Sequence, residues 1–124
     1  MSGEIQLSGI VIHGDGLGKT YGYPTANIDC VPPADLTDGI YAASIMLGND
    51  RLRGLVIIGD RNRLHPGDKK VELHILNFTS DLYGKILSAE LVQKIRPFMK
   101  FSTTLELIRQ IEKDCREAEK ILVK

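Results

Sequence analysis

The chain has 124 residues, 43% of them hydrophobic and 26% charged, which suits one ordinary globular domain over residues 1–124 with a modest core and leaves too little chain for a second. Sixteen basic residues balance sixteen acidic ones, so no overall field recruits a polyanion and nucleic acid is not an expected partner. No apolar run is long enough to span a bilayer, and Met1 to Leu7 carries neither a basic nor an apolar leader pattern. A cytoplasmic monomer with no membrane partner is therefore expected. Cys30 and Cys115 stand alone without a CxxC pair, and His13, His65 and His74 lack metal-ligand spacing, so neither a disulfide framework nor a protein-ligated zinc is expected.

The first predicted strand is residues 5–12 (IQLSGIVI). HGDGLGKT follows at 13–20 and nearly matches the phosphate-binding pattern G-x-x-x-x-G-K-[ST], but His13 stands where the first glycine belongs. A true P-loop also opens a long helix, which Gly22 and Pro24 prevent. Gly14, Gly16 and Gly18 leave the backbone free to adopt positive φ and approach a ligand closely, with Lys19 as a nearby cation. By pattern alone, a flexible hairpin tip is the better account of them. Pro24-Thr25-Ala26-Asn27 reads as a turn with a short extended piece over 25–29. Its hydroxyl and amide oxygens, two residues apart, point the same way and are hard ligands of the kind Mg²⁺ takes when it is bound with a nucleotide.

Strands are predicted next over 39–47 (GIYAASIML) and 53–58 (RGLVII), separated by Gly48-Asn49-Asp50. A long polar loop is expected from Gly59 to Lys70. In the strand at 71–78, alternation sends Val71, Leu73 and Ile75 to one face and Glu72, His74 and Leu76 to the other. Glu72 then either lies on a solvated outer face or looks into a barrel mouth, where a carboxylate could take a proton from a hydroxyl. A strand over 86–93 completes the set, which suits an antiparallel barrel or sandwich. The period then changes. Leu105, Ile108, Ile111, Cys115, Ala118 and Leu122 recur at steps of three and four along one helix face. Thr103 and Glu106 form a capping box at its start, and Glu112 with Arg116 makes an i,i+4 ion pair.

Together HGDGLGKTYGYPTAN (13–27), GIYAA (39–43), VELHIL (71–76), DLYG (81–84) and IRPFMKF (95–101), with the terminal helix, resemble the riboflavin kinase (flavokinase) family from about Gly9 to Leu122. The resemblance implies a mainly β fold, a six-stranded antiparallel Greek-key barrel with a C-terminal helix. It implies transfer of the γ-phosphoryl group of ATP to the 5′-hydroxyl of riboflavin, giving FMN and ADP, with Mg²⁺ as the metal. Glu72 matches the family's catalytic carboxylate. Gly14, Gly16 and Lys19 match its phosphate-lining loop, and Thr25 and Asn27 match its metal and phosphate ligands. Ile75, Asn77 and Tyr83 match positions near the nucleotide, Tyr83 beside the adenine, while Arg96, Met99 and Phe101 match the segment that closes over the flavin. The segments 59–70 and 96–101 are then expected at the barrel mouth, mobile without ligand.

One stretch departs from the family pattern. An Asn-Pro or Arg-Pro pair usually follows the strand ending GLVIIG, whereas Asp60-Arg61-Asn62-Arg63-Leu64-His65-Pro66-Gly67 is more polar and displaces the proline. The adenylyltransferase module of many bacterial relatives is not in this sequence, so FMN is the expected end product. The alternative is a catalytically impaired flavin-binding or regulatory protein on the same barrel, which the presence of Glu72, Thr25 and Asn27 opposes. An oligonucleotide-binding barrel is opposed by the neutral net charge, 6% aromatic residues and absence of Trp.

Overall fold

The computed structural model describes residues 5–13, 23–62, 64–78 and 80–122. Its strands are β1 (Gln6–Ile12), β2 (Ala26–Ile28), β3 (Gly39–Leu47), β4 (Asp50–Arg61), β5 (Lys69–Ile75) and β6 (Ile86–Arg96), and the helix α1 (Thr104–Leu122) follows them. All neighbouring strands are antiparallel, and the sheet closes in the order β1-β2-β5-β4-β3-β6. Strands β3, β4 and β5 run consecutively and β2 returns beside β5, which makes a Greek key. The expected mainly β barrel with a C-terminal helix is what the chain forms.

Alternation along the strands builds two separate apolar clusters. Leu7, Val11, Ile28, Ile45, Val56, Ile58, Val71, Leu73 and Leu87 fill the barrel interior, each side chain contributing about 1.5–3 kcal/mol relative to exposure. Ile40, Ala42 and Leu55, on the outer wall, pack instead with Ala118 of α1. That second layer explains why β3 is buried on both faces at its start, and it places the helix over β3, β4 and β6.

Several strand ends differ from expectation for local reasons. Gly48, at φ 61°, and Asn49 form a two-residue turn, so Leu47 pairs with Asp50 and β4 begins there rather than at Arg53. At its other end β4 continues through Arg61, leaving only residues 62–68 before β5. This connection is anchored where a long loose loop is expected. The buried Asn62 side chain donates to the carbonyls of Cys30 (3.3 Å) and Lys69 (3.2 Å) and accepts from the amides of Leu64 (3.0 Å) and His65 (3.1 Å). Strand β5 stops at Ile75, because Asn77 turns the chain with φ 56°. Strand β6 runs past Gln93 to Arg96, and this extension carries Arg96 under the helix.

The capping box at the start of α1 forms as expected: the Glu106 amide donates to Thr103 Oγ1 and the Thr103 amide to Glu106 Oε1, both at 3.2 Å. The buried stripe is the predicted one without its first residue and with Asp114 added: Ile108, Ile111, Cys115 and Leu122 are half-buried and Ala118 is buried. Leu105 is exposed, and the fully buried positions are Asp114 and Ala118. Burial, followed by the Asp114 carboxylate, pushes the Cys115 thiol up to about 11.

Candidate active site

Strand β5 carries Glu72 between Asn27 of β2 and Ile57 of β4. Val71, Leu73 and Ile75 point into the barrel, so Glu72 belongs to the outer wall. A six-stranded barrel is too narrow for anything but its own side chains, and of the two placements open to this carboxylate the outer face is the one it takes. The outer wall is not solvated here, because residues 97–104 and the first turns of α1 roof it. Between wall and roof lies a cleft of about 500 Å³, with Ile40, Leu55, Ile57, Glu72 and His74 on one side and Phe98, Met99, Phe101, Leu107 and Ile111 on the other. Phe98 closes one edge by lying flat against Gly59, where an added Cβ would come within 2.6 Å of the ring.

A second cleft of about 340 Å³ opens at the end of the barrel, between Val11 to His13, Pro24 to Asn27, the end of β5, Phe78 and Ser80 to Tyr83. Its outer wall is aromatic. His13 and Tyr83 stack with centroids 3.8 Å apart and planes at 15°, presenting a flat apolar surface suited to a heteroaromatic base.

Thr25 lines both clefts. Its hydroxyl donates to Glu72 Oε2 at 3.1 Å, and Lys70 Nζ lies 3.5 Å from Glu72 Oε1. With the hydroxyl proton committed to the carboxylate, the Thr25 oxygen has its lone pairs available elsewhere, as a metal ligand requires. The segment bearing Thr25 is fixed from below by His74, whose Nδ1 sits 2.8 Å from the Pro24 carbonyl. A carbonyl only accepts, so Nδ1 carries the proton. Tyr23 meets the same imidazole edge-on at 5.8 Å; burial, then Glu112, raises its phenol above the usual range.

The riboflavin kinase family model, Flavokinase, matches residues 1–122. The chain belongs to the riboflavin kinase family. It is 38% identical over 109 residues to the bifunctional riboflavin kinase/FMN adenylyltransferase of Escherichia coli K12, covering 87% of this chain and 35% of that protein. The chain thus spans about a third of the length of the curated relatives it matches. Among solved structures, a macrolide-efflux protein from Streptococcus pneumoniae superposes with TM-score 0.81 and 27% identity, over 92% of this chain and 38% of that one. Riboflavin kinase from Trypanosoma brucei superposes with TM-score 0.65, over 95% of this chain and 79% of its own, and at 21% identity shares the fold.

Eight of the site residues that the family resemblance implies line the two clefts. Glu72, Arg96, Met99 and Phe101 line the larger one, Asn27, Ile75 and Tyr83 the smaller, and Thr25 both. Asn77 is exposed at the turn after β5 and lines neither. Gly14, Gly16 and Lys19 lie outside the described residues. Sequence reasoning missed Lys70, His74, Asp114 and His13 as members of the site. Lys70 and His74 had a signal, since both share the Glu72 face at steps of two. Asp114 had one as well, being a carboxylate within an apolar helical stripe. His13 stacks on a residue far along the chain, and nothing in the sequence announces that.

Proposed function

We propose that the chain phosphorylates riboflavin at its 5′-hydroxyl with ATP, giving FMN and ADP. The observation that carries this is Thr25 lining both clefts while bonded to Glu72, which sets a carboxylate beside the residue that, among the described ones, the two clefts share. The larger cleft has the size of a small-molecule site and an apolar lining for an isoalloxazine ring. The smaller holds the nucleotide, its base against Tyr83 and His13 and its phosphates toward Thr25 and Asn27.

Phosphoryl transfer asks mainly for positioning and charge neutralisation. Thr25, just before β2, and Asn27 within it offer a hydroxyl and an amide oxygen, a donor set that fits Mg²⁺, which fills its other positions with phosphate oxygens and water. When bound, this ion neutralises charge on the phosphates. Glu72 orients the 5′-hydroxyl and accepts its proton as the oxygen attacks. The roof formed by residues 97–104 excludes water, which would otherwise compete as the acceptor. Arg96, Met99 and Phe101 hold the flavin from that roof.

The test is direct. Purified chain is incubated with riboflavin, ATP and Mg²⁺, and the flavins are separated by chromatography. FMN and ADP in equal amounts are expected; a chain that binds riboflavin and Mg-ADP yet forms no FMN would show that the barrel serves as a flavin binder instead.

A further inference from the structure

Arg96 ends β6, and Pro97 after it begins the roof of the larger cleft. Its guanidinium is the hub of that roof. Nε lies 2.9 and 3.0 Å from the two Asp114 carboxylate oxygens, Nη2 donates to Oδ2 at 2.7 Å, and Nη1 donates to the Pro97 carbonyl at 3.1 Å. The guanidinium carbon sits 5.7 Å from the centre of the Phe101 ring. Asp114 takes a further bond from Gln110 Nε2 at 3.0 Å and its side chain is 2% exposed.

A carboxylate buried in the apolar stripe of a helix is costly to desolvate, and an apolar pair of similar volume often stabilises a fold as well or better. What a bidentate contact adds is direction, because the planar fork admits one orientation of the guanidinium. Here that orientation also places the Pro97 carbonyl and the Phe101 ring. With Nε and one N–H of Nη2 turned to Asp114 and one N–H of Nη1 to the Pro97 carbonyl, Arg96 has the second N–H of each terminal nitrogen and its flat face left to offer a ligand.

We propose that Asp114 is a positioning residue for the flavin, acting through Arg96: it ties the start of the roof segment to α1 and so sets Arg96 and Phe101 over the cleft. This rests on assigning the larger cleft to riboflavin. Neither Asp114 nor Arg96 lines the smaller cleft, so the effect falls on the flavin and spares the nucleotide.

Riboflavin affinity from flavin fluorescence, Mg-ADP affinity from calorimetry and steady-state kinetics are compared for the parent chain, Asp114→Asn, Arg96→Met and the double variant Arg96→Met/Asp114→Leu. Asp114→Asn is expected to weaken riboflavin binding about tenfold or more, as loss of a charge-assisted bond does, with Mg-ADP affinity within about twofold of the parent. KM for riboflavin rises more than kcat falls. In the Arg96→Met background, adding Asp114→Leu weakens riboflavin no further, because the residue it acts through is gone. The double variant buries no charge and keeps the test open where Asp114→Asn fails to fold. Parent-like riboflavin affinity in Asp114→Asn or in the double variant overturns the proposal, and so do equal losses for riboflavin and Mg-ADP. A parent chain that binds Mg-ADP but no riboflavin overturns the assignment of the cleft, and this inference with it.

Discussion

Glu72→Gln separates proton acceptance from every other property of the side chain. Volume and one oxygen acceptor are kept, so the amide oxygen can take over the 3.1 Å bond from Thr25. The amide nitrogen then turns toward Lys70, whose Nζ now lies 3.5 Å from the carboxylate. Both side chains retain about a fifth of their exposure (18% and 20%), so water can satisfy what the amide does not. The stability loss is therefore about 1 kcal/mol or less. Removing a general base costs roughly 10²- to 10⁴-fold in rate, or about 3–5 kcal/mol of transition-state stabilisation at about 1.4 kcal/mol per decade. The two magnitudes are far enough apart to be told from each other. Initial rates of FMN formation, measured beside the thermal midpoint and the affinities for riboflavin and Mg-ADP, should show kcat collapsing while the other quantities barely move. A Glu72→Gln variant with the parent kcat would refute the role of this carboxylate, and a parallel collapse in thermal midpoint would reduce it to a structural group.

Thr25→Val deletes the oxygen common to both clefts while roughly keeping volume, so it should weaken Mg-ADP more than ADP alone in calorimetry; equal losses would make Thr25 a turn residue only. Gly59→Ala drives a methyl to within 2.6 Å of the Phe98 ring, and the displaced roof should lower stability by about 1–3 kcal/mol in denaturant titration and weaken riboflavin. Unchanged stability would mean that Phe98 is not held there. The Cys115 thiol, pushed to about 11 from 9.0 chiefly by burial, binds its proton more tightly folded than unfolded. Its contribution to stability is complete below pH 9 and lost as pH rises through 11. The thermal midpoint of the parent should accordingly fall more steeply over that range than that of Cys115→Ala, and identical slopes would contradict the shift.

Alternation of apolar residues along each strand, the glycine and asparagine at the β3–β4 turn, and the capping box at Thr103 are local features. Each was legible because its cause lies within a few residues of chain. Periodicity likewise fixed which side of β5 Glu72 occupies, since Val71, Leu73 and Ile75 must share the other. It could not say what covers that side. Whether the Glu72 face meets water or a ligand cleft depends on α1 and the segment before it folding back over β3, β4 and β6, a contact between elements distant in sequence. The loop after β4 carries the same lesson. Gly59 to Lys70 has the composition of a loose connection, yet Asn62 anchors it through carbonyls of Cys30 and Lys69 that only tertiary structure brings near. Asp114 breaks the helical pattern visibly, but that it faces Arg96 was decided by β6 running on to Arg96 beneath the helix. The sequence by itself thus determined the elements and their inward faces, because propensity and period act locally. Only the folded chain decided the two clefts and the hydroxyl between them, because the barrel interior is filled by its own side chains and these clefts lie on its outer wall and at its end, where distant segments meet.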